Sequence, residues 1–262
     1  MAFGNGYIFG FATVICVVCS VAVSGVSMSL AERQTLNRER DARSSILAAL
    51  GLPAEECDAG GGCARPKLVG EEIDALWDKH VEQRFITPDG DPADAATADQ
   101  NADGKLDSED LKLALDEAKD GSAPEVMGLF VRMDGSQTKS IAIPLDGAGL
   151  WGPLSGYLAV DPKGTVVMGA TFFAPKETPG LGSEIMETPL KSQWKDKSIV
   201  DAKRRTTTIR VAKGEAKVAC PDNLEHCVDG VSGATITCRG VDKMVSEALS
   251  WYDPYLSDLR GG

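Results

Sequence analysis

Apolar positions are continuous over the first part of the chain. Residues Tyr7 to Met28 include no charged side chain and are mostly apolar. An apolar helix of this length can span a bilayer. A cleaved signal peptide or a buried helix has a similar composition, but a signal peptide normally opens with basic residues, and the first basic residue here is Arg33. The pattern therefore favours a single retained transmembrane helix, as an anchor at residues 1–30.

Two periodic segments follow, and both predict helices. The first runs from Leu30 to Leu50, since Gly51 suits a C-terminal cap and Pro53 prevents continuation. The second is amphipathic and runs from Glu71 to Phe85, and its apolar positions share one face: Ile73, Leu76, Trp77 and Val81. The two segments predict a juxtamembrane helical region at residues 31–86.

Beyond residue 126 the pattern changes to short apolar runs separated by turn signals. Asp134-Gly135-Ser136 and Asp161-Pro162-Lys163-Gly164 are typical hairpin turns. Strand hairpins with a terminal helix indicate an α+β domain of antiparallel strands with flanking helices at residues 126–262. The predicted strands and the final amphipathic helix are Val126–Met133, Lys139–Pro144, Tyr157–Val160, Val166–Phe173, Thr206–Val211 and Val241–Trp251.

Acidic residues concentrate in one part of the chain. The formal net charge is −12, which argues against nucleic acid as a partner because phosphate binding needs a basic face. The stretch from Glu55 to Glu125 holds 20 acidic and 7 basic residues, so it accounts for the whole acidic surplus of the chain. Pro88 to Pro92 interrupts this stretch, and an acidic insert is predicted at residues 87–125.

The acidic insert contains the spacing of an EF-hand calcium loop. Oxygen side chains occupy loop positions 1, 3, 5 and 9, with glycine at position 6 and a backbone carbonyl available at position 7. Position 12 is aspartate where glutamate is usual, which favours weak binding. The alternative is a solvated acidic loop. The predicted Ca²⁺ ligands are Asp99, Asn101, Asp103, Lys105, Asp107 and Asp110, with an exit helix at Glu109–Lys119.

Cysteine and histidine usage limits the chemistry further. The chain has only two histidines, which argues against a histidine-rich metal site or a Ser-His-Asp hydrolase. Cys57 with Cys63, and Cys220 with Cys227, each close a short loop, as local disulfides do in an oxidising compartment. Both spacings are too wide for a usual zinc knuckle. Reduced structural thiols remain the alternative.

Two stretches of the C-terminal domain are richer in glycine than packing requires, and a third is a turn of small residues with three hydroxyls, before a helix that begins near Gly240. They are Gly147 to Gly156, Glu177 to Gly182, and Asp229 to Thr237. Glycine lets the backbone approach a ligand closely and offers N–H groups to its oxygens. Trp151 is able to stack on a flat ring, although such a residue is more often part of the packing. None of the stretches has the form or setting of a dinucleotide-binding loop, so the alternative is surface loops.

The residues of these stretches resemble the motifs of a known family. Glu-Thr-Pro-Gly-Leu-Gly, Gly-x-Gly-Leu-Trp-Gly-Pro and Asp-Gly-Val-Ser-Gly-Ala-Thr are similar to motifs of the C subunit of the sodium-translocating NADH:quinone oxidoreductase. The resemblance implies FMN bound through a phosphoester to Thr235, which would make the chain a phosphoprotein. It also implies flavin contacts from neighbouring residues: Ser232, Gly233, Ala234, Glu177, Thr178, Gly180, Leu181, Gly182, Leu150 and Trp151.

The resemblance implies a function in a membrane complex. A magnesium-dependent flavin transferase would install FMN from FAD. The protein would then relay electrons between cofactors of partner subunits, towards ubiquinone, while the complex exports sodium. It would lie in the bacterial inner membrane with its soluble domain on the periplasmic side. That placement agrees with the disulfides but conflicts with the positive-inside rule, because four arginines follow the span: Arg33, Arg38, Arg40 and Arg43.

Three alternatives belong beside this hypothesis. The related G subunit of the ferredoxin:NAD oxidoreductase complex carries the same type of flavin. A membrane-anchored calcium-binding module without redox function would leave the glycine-rich stretches unexplained. A stand-alone surface flavoprotein would carry the flavin but join no complex.

Overall fold

The computed structural model describes residues 5–53, 56–57, 63–64, 68–94 and 122–261. The chain divides into two compact units, Met1–Ala42 and Arg43–Gly262. The calcium ligands predicted between Asp99 and Asp110, and the exit helix after them, lie outside the described residues and stay predictions.

The predicted membrane span and the predicted helix Leu30–Leu50 form one continuous helix, α1, from Asn5 to Ala49. Its portion Phe9–Ala31 has a mean hydropathy of 2.3 and is, among the described residues, the one helix long and apolar enough to cross a membrane. Length and composition alone support that statement, since a signal sequence has the same properties. The end of α1 follows the prediction: Gly51 has a φ of 81°, and the N–H of Leu52 donates to the carbonyl of Leu47.

A five-stranded antiparallel sheet forms the centre of the second unit. Its strands are β3 (Val81–Ile86), β4 (Met127–Asp134), β5 (Gln137–Ala148), β6 (Pro153–Val160) and β7 (Val167–Phe173), and they lie side by side in chain order. Both predicted hairpins are confirmed, and β5 and β6 are longer than the sequence indicates. A separate short hairpin precedes the sheet and consists of β1 (Glu56–Cys57) and β2 (Cys63–Ala64).

The predicted helix Glu71–Phe85 is correct in its first part and wrong in its second. Helix α2 (Gly70–His80) ends where β3 begins, and Val81 has extended backbone angles. The pairing of β3 with β4 along its whole length overrides the helical periodicity, because tertiary pairing outweighs a weak local preference. Residues that the sequence places in a juxtamembrane region therefore belong to the sheet.

Each face of the sheet is covered by apolar side chains from other elements. The larger core lies between one face and the C-terminal helix α5 (Thr235–Trp251), and includes Leu145, Leu158 and Met244. On the other face the last turns of α1 contribute Ile46 and Leu50, with Trp77 of α2 packed alongside. The sheet is thus buried on both sides, which accounts for strands with few exposed positions.

The segment between β7 and α5 is irregular. It contains 3-10 turns at Gly182–Met186, Ser192–Trp194 and Leu224–His226, with α3 (Thr188–Lys191), β8 (Arg210–Val211), α4 (Ala216–Ala219) and β9 (Cys227–Val228). The predicted strand Thr206–Val211 is wrong for most of its length, since only Arg210–Val211 forms a ladder, in parallel with β9. Thr206 makes an isolated antiparallel bridge with Val200. Its hydroxyl donates to Asp253 and accepts a hydrogen bond from Arg260.

The last helix, α6 (Asp253–Leu259), is fixed by the buried side chains of Arg260 and Tyr252. The guanidinium of Arg260 donates to the carbonyl of Gly164, 2.8 Å away, and to the Thr206 and Ser257 hydroxyls. Tyr252, between α5 and α6, donates its hydroxyl to the carbonyl of Gly128 on β4. Burial raises the pKa of this phenol far above its usual range, so the hydroxyl stays a donor.

Candidate functional site

Thr235 is the first residue of α5, at the positive end of a 17-residue helix. The sequence places the start of this helix near residue 240, which is too late, because Gly240 is a packing residue and not a boundary. A Cβ atom at Gly240 would lie 2.2 Å from the carbonyl oxygen of Ala148, so the glycine lets α5 approach the end of β5. The N-cap residue is Ala234, which offers no side-chain cap to the first amides.

The two threonines of this first turn differ in accessibility. Thr235 is exposed, whereas Thr237 is only 1% exposed. The first N–H groups and the dipole of a helix favour an anion at its N-terminus. The exposed hydroxyl of Thr235 is therefore placed where a phosphate is electrostatically favoured.

The first glycine-rich stretch is a tight turn and not a long loop. Its two ends belong to β5 and β6, and only residues 149–152 lie between them. The N–H of Gly149 donates to the carbonyl of Gly152 over 2.8 Å. Leu150 and Trp151 form the tip, with 46% and 64% of their surface exposed. Both side chains are thus available to a ligand.

Glu177 joins the first glycine-rich stretch to the second and third. The residue is 6% exposed, and its Oε1 accepts a hydrogen bond from the Trp151 N–H over 2.9 Å. Its Oε2 accepts the hydroxyl of Thr237 over 2.6 Å. A Cβ atom at Gly149 or at Gly182 would lie 2.4 Å from one of these oxygens, so both glycines leave room for the carboxylate. The carboxylate is directed into the protein, although the sequence predicts a flavin contact for this residue.

The second and third stretches also touch through Leu181. A Cβ atom at Gly233, whose φ is 78°, would lie 2.8 Å from Leu181 Cδ2. Leu181 remains 41% exposed, and the backbone around it turns tightly, since the Thr178 carbonyl accepts the N–H groups of Leu181 and Ser183. Gly180 has a φ of 75° in open space, which permits this turn.

The loop before Thr235 is held by hydrogen bonds to the segment that precedes and begins α4. Asp229 Oδ1 accepts the N–H of Ala216 over 2.6 Å, and the N–H of Gly230 donates to the Gly214 carbonyl over 2.8 Å. A Cβ atom at Gly230 would lie 1.9 Å from the carbonyl oxygen of Ala212, so no other residue fits there. The motif glycine is thus required by close backbone packing.

Cysteines support the same loop. The structure contains a disulfide between Cys220 and Cys227, whose Cα atoms are 6.5 Å apart, and β9 leads from Cys227 into the loop. The Cys238 thiol accepts the N–H of Val231 over 3.3 Å, and burial raises its pKa, which keeps it neutral. Cys57 and Cys63 are opposite each other in the antiparallel pair β1–β2, and their disulfide stays a prediction.

The predicted flavin contacts lie on three segments that Glu177 and Leu181 connect. These contacts are Leu150, Trp151, Glu177, Thr178, Gly180, Leu181, Gly182, Ser232, Gly233, Ala234 and Thr235. The sequence analysis assigns no supporting role to Gly149, Thr237 or Cys238, although Gly149 and Thr237 lie in the quoted stretches. The only signal for Thr237 is its position two residues after the predicted acceptor. Within the described ranges no group of three or more His, Cys, Asp or Glu side chains could hold a metal ion.

Comparisons with known proteins show which family the chain belongs to. The FMN-binding domain family matches residues 149–250, which include parts of all three stretches. The C subunit of the Na(+)-translocating NADH-quinone reductase of Yersinia pestis is 32% identical, and the match covers 95% of this chain and 91% of that protein. The chain belongs to this C-subunit family. The corresponding protein of Pseudomonas aeruginosa is 31% identical, with 96% of this chain and 94% of that one covered.

Solved structures of the same family share the fold. The crystal structure of the C subunit from Parabacteroides distasonis is 27% identical, has a TM-score of 0.66 and covers 87% of this chain and 97% of that one. That of Shewanella oneidensis NqrC is 25% identical, has a TM-score of 0.66 and covers 86% and 100%. These matches favour the C-subunit hypothesis over its three alternatives: the ferredoxin-linked flavoprotein, the calcium-binding module and the stand-alone flavoprotein.

Proposed function

We propose that the chain is the membrane-anchored flavoprotein subunit of a sodium-translocating NADH:quinone reductase, carrying FMN as a phosphoester of Thr235. The observation that carries the covalent site is the contrast between two hydroxyls of one helix turn. Thr235 is exposed at the N-terminus of α5, and Thr237 is buried against Glu177. A transferase can reach only the first hydroxyl without unfolding the turn.

The residues around Thr235 fit a flavin phosphate. Ser232 and Gly233 are exposed beside it, and Ala234 leaves the first amides of α5 without a side-chain cap. A phosphodiester keeps a negative charge, which the helix N-terminus stabilises. Attachment from FAD would form a bond from the Thr235 oxygen to the flavin-side phosphorus and release AMP, with the hydroxyl proton passing to the transferase or to water.

Exposed apolar side chains near Thr235 fit the flat ring of a flavin. Leu150, Trp151 and Leu181 are exposed on the segments around the attachment point, where an indole and apolar side chains suit contact with a flat aromatic ring. Thr178 is also exposed and offers a hydroxyl donor. FMN supplies the redox chemistry when bound, while these residues hold and orient it. Calcium binding at residues 99–110 remains a separate prediction.

Assembly with partner subunits is tested by isolating the membrane complex. A chain with an affinity tag at its C-terminus should copurify from detergent-solubilised membranes with NADH:quinone reductase activity that depends on sodium. Deleting the gene should remove that activity, and the tagged chain should restore it. A tagged chain that is isolated alone, together with unchanged sodium-dependent activity in the deletion strain, would contradict the proposal and favour a stand-alone flavoprotein.

We further propose that the second unit, Arg43–Gly262, faces the outer side of the cytoplasmic membrane. The Cys220–Cys227 disulfide supports this side, since such bonds persist in oxidising compartments. A cysteine placed at exposed Val218 should react with a membrane-impermeant maleimide in intact cells. A control cysteine at buried Val245 should not react until the protein is denatured. Labelling of the Val218 position only after lysis would favour the arginine-based orientation.

A further inference from the structure

We propose that Glu177 is a positioning residue of the flavin site, which locks the Trp151 backbone to the first turn of α5 and adds a negative charge to the site. This inference rests on the proposed function, because it concerns the same site. Its subject is the carboxylate that the sequence places among the flavin contacts and the structure directs inward.

The carboxylate makes a two-sided connection. One oxygen binds the backbone of the β5–β6 turn at Trp151, over 2.9 Å, and the other binds the Thr237 side chain, over 2.6 Å. Thr237 lies two residues from Thr235, so the connection fixes the attachment point relative to the turn that bears the exposed indole. A hydrogen bond to a charged acceptor is stronger than a neutral one, which suits a rigid connection.

The surroundings of the carboxylate indicate a built site. Each carboxylate oxygen of Glu177 is close to one glycine. A Cβ atom at Gly149 would lie 2.4 Å from Oε1, and a Cβ atom at Gly182 would lie 2.4 Å from Oε2. The hydrogen-bonded hydroxyl is that of Thr237 in the first turn of α5, where the helix dipole stabilises a negative charge. Within the described parts of the chain no cationic side chain forms a salt bridge with it. A buried carboxylate without a cation is costly, so two hydrogen bonds and a helix end are what retain it.

Two separate effects on the flavin follow from this arrangement. The negative charge opposes the addition of electrons to a nearby group, so it should lower the flavin midpoint potential. The connection itself orders Trp151 and Thr235, so it should set the asymmetric environment that gives the flavin its visible circular dichroism. Glu177→Gln removes the charge and keeps the size, whereas Thr237→Val keeps the charge and removes one bond.

The experiment uses the full chain, coexpressed with a flavin transferase and purified in detergent. We expect Glu177→Gln to shift the midpoint potential of the bound flavin upward. We expect Thr237→Val to change the visible circular dichroism and to slow flavin attachment by up to about 10²-fold, the cost of misplacing a reacting group by about 1 Å. Thr237→Ser keeps the hydroxyl and should restore both the spectrum and the attachment rate.

The outcomes separate this inference from the proposed function. A wild-type chain without covalent flavin would refute the proposed function, and the inference with it. Flavin on the wild type and on all variants, with unchanged potential and dichroism, would refute only the role of Glu177. A lower melting temperature without spectral change would show that the carboxylate supports the fold alone, which also overturns the inference.

Discussion

Replacing Thr235 with alanine should remove the covalent flavin completely and leave the protein folded. The side chain is exposed at the first position of α5, and alanine is a good helix former, so packing should not suffer. The other hydroxyl of this turn, that of Thr237, is buried and cannot replace it. The measurement is the flavin fluorescence of the denatured protein in a gel under ultraviolet light, after coexpression with the transferase.

The control for this substitution is Thr237→Ser. It alters the neighbouring threonine but keeps the hydroxyl that binds Glu177, so fluorescence should be retained. Circular dichroism in the far ultraviolet should be equal for the wild type and both variants. Fluorescence that persists in Thr235→Ala would place the flavin elsewhere and contradict the assignment.

Replacing Gly230 with alanine should damage both stability and flavin attachment. The added Cβ would lie 1.9 Å from the carbonyl oxygen of Ala212, a backbone atom that cannot move without disturbing β8 and β9. Overpacking of this kind typically destabilises by about 1–3 kcal/mol. Because Gly230 lies in the loop that leads to Thr235, most of the covalent flavin should be lost as well.

Urea unfolding of the variant, followed beside its in-gel fluorescence, measures the two effects. Val218→Ala is the matched control, since Val218 is 78% exposed in the neighbouring helix α4 and should change the free energy of unfolding by less than about 0.5 kcal/mol. Equal stability and equal flavin content in Gly230→Ala and the wild type would show that the loop tolerates a side chain, against the packing seen here.

Local patterns predict the regular elements well and the connecting ones poorly. The hairpins around Asp134 and Asp161 follow from turn residues between apolar runs, and α1 ends where Gly51 adopts a positive φ. The apolar spacing of β3 by itself indicates a helix. Its strand conformation comes from pairing with β4, which is distant in the sequence and therefore outside any local pattern. The segment that begins at Thr206 also has the local pattern of a strand. Its irregular path depends on a hydrogen bond from Arg260, 54 residues away, which no local pattern can show.

The candidate site shows the same division. The proposed roles of Thr235 and of the exposed apolar residues around it come from the resemblance of the motif strings to a known family. The direction of the Glu177 side chain depends on Gly149 and Thr237, which come from two other segments of the chain. Only the folded arrangement brings these partners together, so the supporting role of Glu177 is not predictable from the sequence.

The position of the flavin is the central claim, and mass spectrometry of protease fragments tests it most directly. The chain should be coexpressed with the transferase, digested under denaturing conditions and fragmented. We predict one modified peptide, heavier by one FMN less one water, with fragment ions that assign the addition to Thr235. An unmodified peptide at this position, or fragment ions that assign the flavin to Thr237 or Ser232, would contradict the account.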